Sequence, residues 1–302
     1  MGARFEFLLV VGFVGAAIPA TAQDLEPRAY AATPVGANFL VVGGGRSSGD
    51  VLFDPSIPLT DVHATLHSAT IGAGTTFALF GRTALAVAAF PYVWASATGR
   101  VGETLGSATR SGLGDPRIKL SINLVGGRAL TLSEFAKAQR PTIVGVSLTV
   151  VPPLGQYDPR KLVNLGSNRW SFKPEAGYSR LAGKWTLDGY AGVWLFTPNN
   201  AYYAGSSVRT QDPVFALQGH ISYTMKPRLW AAFDATWYSG GKTSVDGTDQ
   251  ANLQRNSRVG ATLSVPLLRQ QSLKFAYNRG ATTRVGADFT TFSVGWQLSW
   301  FD

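Results

Sequence analysis

The chain has 302 residues, a formal net charge of +9, only 15% charged residues and no cysteine. Disulfides therefore cannot hold it, and no dense Lys/Arg run marks a nucleic-acid contact. No run of about 18 apolar residues is present, which excludes a transmembrane helix.

Residues 1–22 read as a secretory signal peptide. Arg4 is followed by the apolar run Phe7–Ile18, then Pro19 and the small-residue site Ala20-Thr21-Ala22, with cleavage expected after Ala22. Arg4 and Glu6 cancel, so the exported part keeps the net charge of +9. That excess admits two readings, attraction to anionic lipid headgroups or a scatter of arginines. Residues 23–302 are expected to form one domain.

Beyond the signal, side-chain character alternates with a period of two, the signature of strands with one apolar and one polar face. It predicts about twelve strands, near 36–46, 64–80, 83–96, 112–125, 141–152, 169–181, 184–196, 213–225, 228–240, 256–266, 271–279 and 286–300. The clearest stretch sets Ile118, Leu120, Ile122 and Leu124 against Arg117, Lys119, Ser121 and Asn123. Near Phe39, Thr65 and Val87 both parities are apolar, and no facing follows. These strands are long for a soluble sheet and right for tilted membrane spans of about 9–11 residues.

The connections alternate in length. Gly81-Arg82, Ala182-Gly183, Lys226-Pro227 and Leu267–Gln270 are short, whereas polar, Gly-rich loops are expected near 47–62, 97–110, 153–168, 197–212 and 241–255. Tight turns at one end and long loops at the other describe an antiparallel up-and-down transmembrane β-barrel. One short-side connection, Ala129–Arg140, predicts a periplasmic-side helix, with Thr131 and Glu134 as a capping box and Pro141 as its stop. Such a helix either plugs the barrel mouth or lies on its rim. Trp185, Trp194, Phe196, Trp230, Trp237, Tyr238, Trp296, Trp300 and Phe301 fall near strand ends, as expected of interfacial aromatic girdles.

The block "VPPLGQYDPRKLVNLGSNRWSFKPEAGYSR" (Val151–Arg180), with "SGLGDPRIKLSINL" before it and "LQGHISYTM" and "NSRVGATLSVPL" after it, resembles a known family. That family is the outer-membrane proteins named for the MetA pathway of phenol degradation, many of them labelled transporters. The likeness runs from "DLEPRAY" (Asp24–Tyr30) to the last strand. It implies a Gram-negative outer-membrane barrel linked by name to aromatic catabolism. The chain departs from the usual barrel ending, because Asp302 follows the aromatic Phe301.

A charge at the lipid midplane costs roughly 2–4 kcal/mol, so the polar parity must face the lumen. Asp115, Arg117, Lys119, Lys173, Glu175, Asp188, His220, Asp234, Arg258 and Lys274 are thus the expected lumen-lining residues. Their mixed signs suit cross-strand pairs that brace the barrel better than an ion-selective pore. A turn over Met225–Pro227 would set Gln218 opposite Asp234, with His220 diagonal in a wet hydrogen bond. That pair is either a brace or a pH-sensitive gate.

Only His63, His67 and His220 could serve catalysis or a metal. With no cysteine or acidic ligand cluster beside them, no catalytic residue, metal site or cofactor is expected. "VVGGGRSSGD" (Val41–Asp50) lacks the Lys-Ser/Thr pair of a phosphate loop. The loops Ser48–Val62 and Tyr157–Trp170 mix Leu, Val and Phe with Asp and Arg; they either fold over the mouth to collect apolar solutes or are ordinary surface loops.

The expected function is an outer-membrane channel for passive uptake of small, aromatic or apolar compounds. A non-conducting structural or surface-interaction barrel is the alternative, and a barrel hydrolase is disfavoured. Expected partners are membrane lipids and lipopolysaccharide, the barrel assembly machinery and a small-molecule solute.

Overall fold

A computed structural model describes residues 26–301, except 53–58, 102–103, 139–141, 162 and 204. The signal peptide expected at 1–22 and the terminal Asp302 lie outside the described residues. The strands in chain order are β1 (Ala37–Leu52), β2 (Leu59–Leu79), β3 (Arg82–Val101), β4 (Thr104–Leu113), β5 (Arg117–Val125), β6 (Ile143–Val151), β7 (Ser171–Ala182), β8 (Trp185–Phe196) and β9 (Asn199–Tyr202). There follow β10 (Ser207–Gln211), β11 (Val214–Lys226), β12 (Leu229–Gly240), β13 (Thr243–Val245), β14 (Thr248–Asp249), β15 (Gln254–Leu268), β16 (Gln271–Thr282) and β17 (Gly286–Phe301).

Every barrel pairing is antiparallel, and β1 closes on β17 with Ala37 opposite Phe301 and Leu52 opposite Gly286. Because β4 and β5 both pair with β3, they form one interrupted barrel strand. The result is a closed barrel of twelve strands. Closure of β1 on β17 joins the two ends of the sheet, which is what lets it cross a bilayer with its backbone satisfied; among the described barrel strands only β4, at the loop end, pairs on one side alone.

The strands rise higher at the loop end than their sequence suggests. Loops were expected at 47–62 and 97–110, yet β1 runs to Leu52, β2 starts at Leu59, and β3 and β4 pair up to Val101 and Thr104. Gly, Ser and Thr give these stretches a loop-like composition, but pairing holds them in the sheet, on both sides for β1 and β2 up to Asp50 and His63 and on the β3 side for β4. The loops at 197–212 and 241–255 are also structured, pairing into a four-stranded sheet in the order β14-β13-β10-β9.

The break between β4 and β5 anchors a third loop. Asp115 accepts hydrogen bonds from the Gly155 N–H at 2.8 Å, the Ser167 N–H at 2.7 Å and the Ser167 hydroxyl at 2.7 Å. Tyr157 from the same loop donates to the Ala201 carbonyl at 3.0 Å, and Arg169 donates to Gln211 at 2.5 Å. The segment 152–170 is thereby tied both to the barrel wall and to the small sheet. Asp115 is thus committed to holding a loop.

At the turn end, the expected helix is α1 (Leu132–Lys137), with the Thr131/Glu134 capping box formed and no buried residue. Its Phe135 and the C-cap Ala138 line one hollow with Ala32, Thr33 and Asn123, so it stands at the turn-end mouth without burying a side chain there. The hairpin between β11 and β12 turns on Pro227 and Arg228, with Arg228 at φ 66° and a bulge at Met225. This corrects the expected register: His220 stands opposite Asp234, and Gln218 opposite Thr236.

Two predictions follow from the loop anchoring. Asp115→Ala removes three hydrogen bonds, one of them from a hydroxyl, and should loosen 152–170 by about 1–3 kcal/mol. Limited trypsin digestion should cut faster at Arg160 and Lys161 while the barrel stays intact. Within the loop, hydrogen bonds from Arg160 hold the Asp158 carboxyl at about 2. A depressed carboxylate contributes stability above its ordinary value and loses it as pH falls through the lowered one. Hydrogen exchange of the loop backbone, corrected for intrinsic rates, should therefore show lower protection at pH 2 than at pH 5.

Candidate functional site in the barrel interior

Along β5 the outward Ile118, Leu120 and Leu124 are exposed, while Ser121 and Asn123 are buried. The same alternation holds on β7, β8, β11 and β12. It turns Phe172's strand neighbours Lys173 and Glu175 inward, with Asp188, His220, Asp234 and Arg258 beside them from the other strands. In β1 and β2, whose alternation predicted no facing, Val42 and Ile71 are exposed outside and Gly43, Gly45, Ser68 and Thr70 line the interior.

The aromatic residues divide the same way, which corrects their assignment to girdles as one group. Trp185, Trp237 and Trp300 are exposed on the outside and Phe301 is exposed at the turn-end tip of β17, whereas Trp194, Trp230 and Tyr238 are buried. Trp194, Trp230 and Tyr238 belong to the polar parity of β8 and β12, so their strand phase takes them inward. There Trp230 lies under the Arg28 guanidinium at 4.5 Å, and Trp194 lies near Lys173 at 5.7 Å and Arg117 at 6.0 Å.

The interior is filled on one side by the segment preceding β1. Its backbone leaves the turn end through bonds from Val35 N–H to Leu130 and from Gly36 N–H to Thr76. Higher up, the Tyr30 ring sits on two directly opposed glycines, Gly145 and Gly177. A Cβ at Gly177 would stand 2.1 Å from that ring, and one at Gly145 2.6 Å. Tyr30 shares a 2.8 Å hydrogen bond with Ser147 and donates to Glu175 at 3.2 Å. Arg28 donates to Ser222 and Thr224 at 2.8 Å each, and its N–H donates to Asp188 at 3.0 Å. Glu26 pairs with Lys119 at 2.8 Å.

Most of the inward charges are thus paired with one another or with this segment. Lys173 bridges Glu175 at 2.5 Å, and Glu175 also accepts from Gln218 at 3.2 Å. His220 Nδ1 meets Asp234 at 2.7 Å, and Thr262 donates to the other Asp234 oxygen at 2.7 Å. Both side chains are essentially fully buried, so the wet contact expected for them is instead a dry one. Arg258 donates to Asn278 at 2.6 Å and to the Phe289 carbonyl at 2.5 Å. Glu26, Arg28 and Tyr30 escaped the sequence reading because the segment has no alternation; only its place in the "DLEPRAY" stretch marked it.

Opposite the segment lies a cavity of about 350 Å³ along β16, β17, β1 and β2. Small residues line it, among them Gly43, Gly45, Ser68, Thr70 and Ser293, and Lys274 projects into it. Towards the loop end it meets Phe289 and Leu66, part of a buried apolar cluster with Val51, Ala64 and Ala95; Leu165 from the loop 152–170 packs on that cluster.

The remaining histidines are on the outer face. His63 contacts Asp50 at 2.9 Å through Nδ1 and Ser48 at 3.1 Å through Nε2, a serine–histidine–carboxylate order the sequence did not reveal. Both His63 and Asp50 are more than half exposed. β1 is paired on both sides through Ser48, Gly49 and Asp50, so its N–H groups are committed to neighbouring strands. An acyl-transfer site needs free donors for the oxyanion, and this face offers none from that backbone. Among the described residues, no group of three or more His, Cys, Asp or Glu is placed to hold a metal ion.

A closed, twelve-stranded up-and-down barrel with an apolar outer face and a charged, partly filled interior is the outer-membrane class of β-barrel. The family model described as "Putative MetA-pathway of phenol degradation" matches residues 59–298, and the chain belongs to that family. Among solved structures, the COG4313 outer membrane channel from Pseudomonas putida F1 is similar at a TM-score of 0.79 with 21% identity, covering 92% of this chain and 100% of that one. The transport unit of the autotransporter AIDA-I from Escherichia coli is similar at 0.51 with 11% identity, covering 94% and 95%. The β domain of the Bordetella autotransporter BrkA also reaches 0.51, with 13% identity over 88% and 100%. These likenesses are in fold. No curated protein matches the chain.

Two substitutions test how the interior is held. Gly177→Val forces a side chain onto the Tyr30 ring and should cost roughly 1–3 kcal/mol through overpacking. Displaced from its seat, the segment should raise the single-channel conductance above wild type, and Tyr30→Ala should do the same. His220→Ala leaves Asp234 with Thr262 alone and should lower stability by about 1–3 kcal/mol, read as a lower urea midpoint in lipid vesicles.

Proposed function

We propose that this protein is an outer-membrane channel for the passive passage of small, aromatic or apolar molecules. The observation that carries the reading is the 350 Å³ cavity inside the barrel, beside the N-terminal segment and capped by an apolar cluster at the loop end. Its volume is that of a small-molecule site. A wide aqueous pore would need an open lumen, whereas paired charges and residues 26–36 occupy much of this one. The family's name links its members to phenol degradation, which supports an aromatic solute.

In this reading residues 1–22 are a cleaved signal peptide and the rest is carried to the outer membrane of a Gram-negative cell. The barrel assembly machinery inserts it among lipids and lipopolysaccharide, with the turn end periplasmic and the loops outside. Asp115 holds the outer loop 152–170, and Arg117, Lys119, Lys173, Glu175, Asp188, His220, Asp234, Arg258 and Lys274 line the route or brace it. Solute would enter past Phe289 and Leu66, move along the Gly43–Gly45 wall and leave when residues 26–36 shift. The reaction is diffusion down a gradient and needs no cofactor.

The N-terminal segment also favours a second reading, a non-conducting structural barrel. Reconstitution into liposomes separates the two. Protein-dependent flux of phenol and benzyl alcohol, above the lipid leak and alongside small single-channel currents, is the expected result. Absence of protein-dependent flux for these solutes in correctly folded, inserted protein would sink the channel reading and favour the structural one.

A further inference from the structure

The inward cations differ in how they are used. Lys119 is taken by Glu26, Lys173 by Glu175, and Arg258 by Asn278 and the Phe289 carbonyl. Lys274 stands exposed to the cavity and has no ion-pair partner among the described residues. Its Nζ lies 5.9 Å from the Trp230 ring, which it shares with Arg28, and the carboxylates of Glu26 and Asp234 act on it from beyond salt-bridge distance. The interior carboxylates are already engaged, Glu26 with Lys119 and Asp234 with His220 and Thr262.

A second donor points to the same kind of ligand. Asn278 lies on the Lys274 face of β16, four residues on, and also lines the cavity. Arg258 can only donate, so its bond to Asn278 Oδ1 fixes the amide oxygen on that side and leaves the NH₂ group for the cavity. The other polar lining groups are the neutral hydroxyls of Ser47, Ser68, Thr70, Thr291 and Ser293 and the neutral Gln297 amide, whose Nε2 donates to Ser299. A cation, an amide donor and hydroxyls with no acidic side chain make an environment for an anion.

The far end of the same cavity is apolar. Phe289 lies six residues along β17 from Gly295, the residue opposite Lys274. At the rise of a strand this separates cation and apolar end by roughly 20 Å. The ligand that satisfies both ends is elongated, with an anionic head and an apolar body.

We propose that the cavity binds an amphipathic monocarboxylate, its carboxylate on Lys274 Nζ and the Asn278 amide and its apolar body directed towards Phe289 and Leu66. The inference rests on the channel reading for how the solute arrives and leaves, and it narrows the solute class to acids. Neutral analogues of the same shape fit the cavity and forfeit the charge-assisted bonds.

Equilibrium dialysis of the full chain in nanodiscs tests this, with the longer pair 8-phenyloctanoate and 8-phenyloctan-1-ol as probes at pH 7 and protein-free nanodiscs to correct for partitioning. Wild type should bind the acid about tenfold more tightly than the alcohol, the size expected of a charge-assisted hydrogen bond. Lys274→Met should bring the two to parity, and Lys274→Arg should keep the preference; heat-modifiable gel migration verifies folding of both. Equal binding of acid and alcohol by wild type, or a preference that survives in folded Lys274→Met, overturns the proposal. If Lys274→Met does not fold, the wild-type and Lys274→Arg comparisons still decide it, since both must prefer the acid. Dialysis requires no passage, so the two readings fail separately. Acid preference without liposome flux removes the channel and leaves the site; flux without acid preference removes the site and leaves the channel.

Discussion

In hydrocarbon a backbone N–H or C=O has no water to turn to, and this constraint shapes the whole molecule. Pairing β1 with β17 over their full lengths joins the two ends of the sheet, after which each strand has only two faces to assign. Lipid takes the apolar one. Charges on the middle of the spanning strands, such as Lys119, Lys173, Glu175, Asp188 and Asp234, are then driven into a narrow interior, where they must find partners. The interior network is thus a consequence of closure.

The segment 26–36 resolves part of that problem. Asp188, Lys119 and Glu175 each receive a partner from it, and Tyr30 fills the hollow left by Gly145 and Gly177. Two facing glycines in neighbouring strands weaken a sheet on their own account, and the aromatic ring seated on them restores the packing. The opposite wall follows a different logic. Gly43, Gly45, Ser68 and Thr70 keep β1 and β2 thin, so space remains where the other side is crowded. One barrel therefore holds a braced half and an open half.

The loop end is built to a similar standard of satisfaction. Asp115 spends both carboxylate oxygens on the segment 152–170, and the small sheet of β9, β10, β13 and β14 meets the same segment through Tyr157, Asn168 and Arg169. These contacts set Leu165 against the apolar cluster that roofs the cavity. Loop anchoring and cavity shape are therefore linked through one aspartate at a strand break.

What the sequence determined by itself was the wall. Period-two alternation located twelve strands to within a few residues across most of the barrel, because lipid on one side and charge on the other force each position to declare a face. It did so for Ile118 against Lys119 and for Phe233 against Asp234. The alternation fell silent at β1–β3, where a thin interior face of Gly, Ala and Ser looks no different from an outer one. It misread the upper parts of β1–β4 as loops, since strands above the lipid need no apolar face. Only the tertiary structure decided which charges meet. The one-residue bulge at Met225 places His220 opposite Asp234, and a segment with no periodicity enters the barrel to meet Lys119 and Asp188. Such contacts depend on register and on chain outside the strands, and a pattern of alternating side chains carries neither.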